Sequence, residues 1–552
     1  MFHQILDPLN TVAGSTLVAL VPVIVLLLAL AVFKLGAWQA VAIGAVVTVL
    51  LGIFVWQAPV GSALTAYGLG AATGVWSIDW IVFWGVIIYN TMVSTGAFDA
   101  FKRWLVAQAT ADIRVQTLLI AWAFGALLEG LVGFGYPWAV VAPILIGFGI
   151  IDIAAIRVAA LANNAPVSFG ALGAPIIGLA AVTGLPLMAL SASIGKIVAI
   201  LALAPPWILI YLVSGRRGLK TGWPLAIVGS LAYILGQFPT SQFLGPYLPD
   251  IIGSLVCFAA LLILLRFWRP RELLGFGGEP LSDEEVATQA AEAKRTPPMG
   301  PGAASPQDGR RAGTGALRGL VPFIILIVVV VIWTGPWLAL QKHVVFEPAV
   351  DAVSSLAHKT SSVAWSFAPL VAGTAILVCW LLIAAYLRPN ARQLREVFAE
   401  TFRQMWGAML VGPLIFGLAQ VYNYSGMANS MANGFSKLGV GFVVVAPILG
   451  WIAVALSGSN TTSNAVFGQF QYAVAKLLNA PVLLFPSLNS LGAEVGKPVA
   501  PQTASVGVST TKFVRNEGTV IRYNMGWTLV MLAYLIGIGC LFYFVIPGSV
   551  SL

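Results

Sequence analysis

The chain is 552 residues long, 59% hydrophobic and only 9% charged. Soluble domains carry about 25% charged residues, so folding in water is excluded; the apolar runs are continuous rather than alternating, which excludes a transmembrane β-barrel. The net charge of +9 falls in short Lys/Arg clusters between the runs, the pattern of membrane orientation signals and not of a nucleic-acid footprint.

In chain order, spans near the roughly 20 residues that a crossing needs are predicted at 16–33, 36–56, 76–95, 189–213, 222–240, 245–266, 318–337, 364–387, 403–423 and 524–547. No basic region precedes the first apolar run, so no cleaved signal peptide is expected. Residues 57–74, rich in Gly and Ala, read as interfacial. The stretch 267–317 mixes Pro, Gly, Ala and both charges without periodicity. It reads as a disordered cytoplasmic linker between an N-terminal membrane half (1–266) and a C-terminal one (318–552). Arg216, Arg217 and Lys220, then Arg266, Arg269 and Arg271, then Arg388, Arg392 and Arg395, then Lys512, Arg515 and Arg522 mark cytoplasmic segments, with both termini outside.

Two apolar regions do not fit as simple spans. LLEGLVGFGYP (127–137) and LSGSNTTSN (456–464) each interrupt a stretch whose arms are too short to cross. Both are predicted to be tips of re-entrant hairpins, facing protein or a cavity because unpaired backbone in lipid costs several kcal/mol per group. The segments 157–180 and 482–508 carry prolines (Pro166 and Pro175; Pro498 and Pro501) that forbid a continuous helix and are predicted to be broken crossing helices. Thr95-Gly96 matches Ser425-Gly426, Glu129-Gly130 matches Ser457-Gly458, and Asn163, Gly170 and Pro175 match Asn489, Gly496 and Pro501. Lys102 and Arg103 place one short amphipathic stretch inside, whereas its counterpart has only Lys437 and belongs outside. The predicted fold is therefore an all-α polytopic membrane protein with about 10–14 transmembrane segments in two inverted repeats, each with a re-entrant hairpin and a broken helix.

Ionisable groups inside apolar runs are few: Glu129, Lys196, Glu494 and Lys497. Membrane carboxylates are functional by default, so Glu129 is assigned a coupling or substrate role in preference to a helix cap. Glu494 and Lys497 read equally well as a mutually neutralised i, i+3 pair or as substrate groups. Lys196 reads as a structural, snorkelling residue, Arg157 as an orientation charge, and Asp79 and Asp99 as solvated. Broken helices expose N–H groups suited to an anion. Lys497 adds a full positive charge, and Asn163, Asn164, Ser457, Ser459, Asn460, Thr461 and Gln502 supply neutral hydrogen bonds, a set that fits a small anion with a carboxylate and a hydroxyl.

His3, His343 and His358 lie outside the apolar runs and Cys257, Cys379 and Cys540 inside them. No serine triad, histidine relay, haem or metal centre is predicted, and neither a cofactor nor enzymatic activity. No GxxxxGK[ST] motif occurs, so transport would run on an ion gradient or be passive.

At the hairpins and broken helices the chain resembles the bacterial lactate permease family, which includes glycolate permeases. The resemblance is carried by LLEGLVGFGYP with ALANNAPVSFGALGAPI (160–176), and by LSGSNTTSNAVFG (456–468), LNSLGAEVGKPVAPQTASV (488–506) and KFVRNEGTVIRYN (512–524). It implies proton-coupled uptake of L-lactate, and often D-lactate or glycolate, across the bacterial inner membrane. Glu129, Asn163, Pro166, Gly173, Ser457, Thr461, Asn464, Lys497, Pro501 and Gln502 fall on its motif positions. Asn460 stands where the family usually has Asp, and Glu494 where it has a small or apolar residue. The leading expectation is a symporter in which Glu129 or Glu494 takes the proton and Lys497 with the Asn/Ser/Thr set holds the carboxylate. The alternatives are Na+ coupling through the Ser459-Asn460-Thr461 tip, and a passive anion channel selected by Lys497 and Lys196.

Overall fold

A computed structural model describes the chain apart from residues 109, 134, 283, 287–314, 336, 339, 341–342, 510 and 512–515. Among the described residues, ten stretches are helical, long and apolar enough to cross a membrane. Helix is the expected outcome, because each run satisfies its own backbone without help from water.

The N-terminal half begins with α1 (Val12–Ala31) and α2 (Ala37–Phe54). Then α3 (Val60–Thr73) passes through a π-helical turn, Gly74–Asp79, into α4 (Trp80–Ser94). α5 (Ala97–Gln108) follows, then α6 (Ile113–Thr117), which continues through a second π-helical stretch into α7 (Gly125–Leu131), and α8 (Tyr136–Gly147). α9 (Asp152–Ala162), α10 (Gly170–Thr183), α11 (Leu187–Leu201), α12 (Pro205–Phe243), which turns at Gly215, and α13 (Pro249–Phe267) complete it. The C-terminal half holds α14 (Gly315–Thr334), α15 (Ala372–Leu387), α16 (Ala391–Ser425) and α17 (Met427–Phe435). It ends with α18 (Phe442–Ser457), α19 (Asn460–Leu477), α20 (Leu484–Gly496), α21 (Pro501–Val508) and α22 (Glu517–Phe544).

The same order of elements occurs twice. A long helix, a short one, an arm, a tip, a second arm, a helix, a break and a further helix run from α4 to α10 and again from α16 to α21. The two short helices lie at opposite ends of the molecule. Ala97 and Phe101 of α5 abut Gly319 at the start of α14, while α17 reaches the N-terminal residues, its Asn429 donating to Gln4 Oε1 at 2.9 Å. That is the geometry of inverted repeats. The register differs from the motif matches, by two residues at the tips and by about two helical turns at the asparagines. Asn163 caps the end of α9, but Asn489 sits inside α20; Glu129 lies inside α7, but Ser457 ends α18. Short Gly- and Pro-rich motifs are too common in this chain to fix the alignment.

Residues 57–74 are not interfacial. α3 and α4 form one 35-residue rod packed against α16, and side chains at Gly70 and Gly74 would collide with the carbonyls of Phe416 and Gly412. Small residues here permit close helix contact, which lowers the hydropathy that a span is recognised by. Nor is the whole linker unstructured. Leu274 is buried, its carbonyl accepting from Ile113 N at 2.9 Å and its N–H donating to Asp112 Oδ2 at 3.1 Å; Gly277 N bonds Val213 O at 2.8 Å. The rest of the predicted linker, 287–314, and the markers Lys512 and Arg515 lie outside the described residues.

Asp112 organises this corner. It caps α6 through Arg114 N at 3.0 Å and binds the buried Arg114 guanidinium at 2.9 and 2.6 Å, which in turn donates to the Glu272 carbonyl at 2.9 Å. At the other end a small sheet, unforeseen in an all-α chain, joins the halves. β1 (Phe2–His3) pairs in parallel with β2 (Ala349–Val353), which pairs antiparallel with β3 (Thr360–Ala364).

Candidate functional site

Four interruptions of the helical path build the site. At the first tip the chain reverses between α7 and α8 through Gly133 (φ 68°) and Gly135 (φ 80°), both left-handed. At the second, Gly458 (φ 72°) ends α18 and Ser459 caps α19, its Oγ accepting from Thr462 N at 3.1 Å. The first break bends α9 and α10 by 66° and contains a left-handed turn, Ala171 (φ 46°), Leu172 (φ 57°) and Gly173 (φ 78°). The second is a 3-10 turn, Lys497–Val499, then extended Ala500 and a restart at Pro501.

Backbone groups freed at the breaks are met by polar side chains, as low-dielectric burial requires. Ser168 N donates to Glu494 Oε2 at 2.8 Å. The Pro175 carbonyl accepts from Asn464 Nδ2 at 3.0 Å and the Pro498 carbonyl from Asn524 Nδ2 at 3.0 Å. A network ties the first break to the second repeat: Asn464 also donates to Ser490 Oγ (3.1 Å), Asn489 to Asn464 Oδ1 (3.0 Å), and Asn460 to Ser168 Oγ (3.4 Å).

All four interruptions line one cavity of about 480 Å³. Glu129 and Gly133 come from the first hairpin, and Gly170 and Ala171 from the first break. Ser457, Ser459, Asn460 and Thr461 come from the second tip, and Lys497, Gln502 and Thr503 from the second break. The remaining wall is largely apolar, from α16, the α3–α4 rod and the α1–α2 turn. A volume in the range of small-molecule pockets, with a few convergent polar groups, is the arrangement of a ligand site.

Its electrostatic centre joins the repeats. Lys497 Nζ lies 2.5 Å from Glu129 Oε1, both side chains almost wholly buried, and Asn163 Nδ2 donates to Glu129 Oε2 at 2.9 Å. Gly170 leaves room for that carboxylate, since a Cβ there would stand 2.7 Å from Oε1.

Several expectations change. Glu494 and Lys497 do not neutralise each other, because α20 stops at Gly496 and the 3-10 turn carries Lys497 to Glu129. Glu494 stays behind the wall on the Ser168 N–H, with Oε1 unpartnered. Asn163 and Asn164 also lie off the cavity: Asn163 backs Glu129, and Asn164 is buried with no protein partner for its amide. Lys196 donates to the Ser549 carbonyl at 2.6 Å and is absent from the cavity wall. Arg157 packs its guanidinium 3.1 Å from the centre of the Tyr523 ring.

Two carboxylates escaped the sequence reading. Asp79 is buried on the cavity wall, not solvated; it was misplaced because α3 was not recognised as a helix that continues through it. Asp250, at the start of α13, accepts from Tyr233 OH at 2.9 Å and packs against Gly130, where a Cβ would lie 2.7 Å from Asp250 Cβ. An acid next to Pro249 within a predicted span was the signal for it.

The sequence profile of a family described as L-lactate permease matches residues 15–546. The chain is 34% identical to the glycolate permease GlcA of Escherichia coli K12, over 97% of this chain and 96% of that one. It is 31% identical to the L-lactate permease of Bacillus subtilis 168, over 94% of each. The solved structure of Neisseria gonorrhoeae MtrF superposes with a TM-score of 0.46 at 12% identity, covering 89% of this chain and 85% of that one.

Proposed function

Because the chain belongs to the L-lactate permease family, and so is a multi-pass transporter of the bacterial plasma membrane and not an enzyme, we propose that it carries a small 2-hydroxymonocarboxylate together with a proton. L-lactate is the leading substrate, with D-lactate and glycolate as close relatives; the named relatives are permeases for lactate or glycolate. The observation that supports this most directly is the Lys497–Glu129 pair on the wall of a cavity where both tips and both breaks converge.

A substrate carboxylate competes with Glu129 for the Lys497 ammonium, in a site dry enough for each charge to need a partner. Ser457, Ser459, Asn460, Thr461 and Gln502 offer hydrogen bonds to the 2-hydroxyl and the second carboxylate oxygen. Glu129, on yielding Lys497, loses its counter-charge and takes the proton. Glu494 has no direct access to the cavity and would receive a proton only through the Ser168–Asn460 contacts.

Proteoliposomes holding the full chain and a pH dye test the reading. Adding L-lactate should alkalinise the outside, and an inward proton gradient should drive labelled lactate above its equilibrium level. Replacing Na+ by choline at fixed pH should change nothing; a requirement for Na+ would favour cation binding at the Ser459-Asn460-Thr461 tip. Currents without accumulation would mark a passive channel. Glu129→Gln should abolish gradient-driven accumulation, and wild-type accumulation in that variant would remove Glu129 from coupling.

A further inference from the structure

Asp79 is a carboxylate on the cavity wall with no role in the reading above. It ends the π-helical turn Gly74–Asp79, a deviation that recurs at functional sites. Its side chain caps nothing in α4, is 8% exposed, and has Oδ2 buried without a hydrogen-bond partner. Gly412 of α16 makes the space for it, since a Cβ at 412 would lie 2.5 Å from both carboxylate oxygens.

The neighbouring elements bring it no cation. α10 has no titratable residue, α3 and α4 offer only Tyr67 and Tyr89, and α15 only Cys379 and Tyr386. On α16 the nearest charged residue is Arg403, nine positions before Gly412 and so roughly 13 Å along the helix; Tyr422 and Tyr424 lie beyond it. Across the cavity, Lys497 and Glu129 already neutralise each other.

We propose that Asp79 is a second proton acceptor of this cavity and that an anion loads only when its carboxyl is neutral. The inference rests on the proton-coupled reading. With Lys497 and Glu129 paired, an ionised Asp79 leaves the cavity with net charge −1, and an incoming carboxylate meets a like charge across a largely apolar wall. A proton on Asp79 removes that repulsion before the substrate competes for Lys497. Binding of proton and anion is then linked in the order that symport needs. An intramembrane acid left unpaired by its surroundings is otherwise costly to keep.

The test is counterflow of labelled L-lactate in proteoliposomes with equal pH on both sides, from about pH 5.5 to about pH 8. Two linked protons, one on Glu129 and one on Asp79, make the wild-type KM rise with pH by up to about a hundredfold per pH unit. Asp79→Asn should keep counterflow and lose one of the two linked protons, so that its KM rises by no more than about tenfold per pH unit and stays below the wild-type value at the alkaline end. The wild-type pH profile in Asp79→Asn would overturn the proposal. So would loss of all counterflow in folded, monodisperse Asp79→Asn, which would make the residue a positioning group. If Asp79→Asn does not fold, Gly412→Ala serves, because its methyl displaces the carboxylate: the KM profile should shift along the pH axis, and an unshifted one overturns the proposal. A wild-type KM independent of pH would instead bring down the proton-coupled reading itself.

Discussion

The two repeats interrupt their helices at matching places but with opposite chemistry. The first repeat brings its charge, Glu129, one turn before the hairpin tip, and its break is a left-handed turn of three residues, two of which carry side chains. The second repeat has an uncharged Ser-Asn-Thr tip and places its charge, Lys497, at a break made of ordinary 3-10 and extended backbone. The duplicated scaffold supplies a shared geometry, and divergence supplies complementary charge. Neither repeat can complete the ion pair alone, so the site exists only where the halves meet.

The largest expected effect breaks that complementarity. Lys497→Met leaves Glu129 buried without its counter-charge and should cost about 3–5 kcal/mol, read as a fall in thermal stability in detergent, with uptake lost. Adding Glu129→Gln should restore most of the stability but no uptake. A double variant as unstable as Lys497→Met would mean that the pair does not couple the halves.

Next comes the difference in backbone strain. Gly173→Ala forces a side chain into left-handed backbone and against the Pro246 carbonyl, where its Cβ would stand 2.5 Å away; a loss of about 2 kcal/mol is expected. Ala500→Gly at the second break has no strain to relieve and should cost less than about 1 kcal/mol. Equal losses would erase the contrast between the breaks. The smallest effect separates the tips: Ser459→Ala removes the cap of α19 and should cost about 1 kcal/mol, measured by thermal unfolding. The first tip has no such cap to lose, since α8 starts from Gly135.

Much of this was readable from residue chemistry alone. A charge or a Gly/Ser-rich interruption inside an apolar run is expensive, so Glu129, Lys497 and the four interruptions are conspicuous in the sequence. Pairing did not. Lys497 meets a residue 368 positions away and not Glu494 three positions before it, because Lys497 opens the 3-10 turn that ends α20 while Glu494 accepts from the Ser168 N–H, and local spacing carries no information about that choice. Asp79 was missed for a different reason. The alanines and glycines of α3 that let it lie against α16 also make it look like a surface segment, and its acid then looks solvated. The repeat is visible as an order of elements, while its register is not, since single matched residues drift by two to eight positions without changing the fold.

The two-residue strand at Phe2–His3 has a consequence for biogenesis. Its partner begins at Ala349 of 552 residues, so during synthesis the N-terminal edge waits for well over half the chain to emerge, roughly 20–70 s at about 5–20 residues per second. Closure of this sheet is therefore a clasp that waits for the N-terminal half and α14 to be made, and a bulky tag fused directly to Met1 would obstruct it.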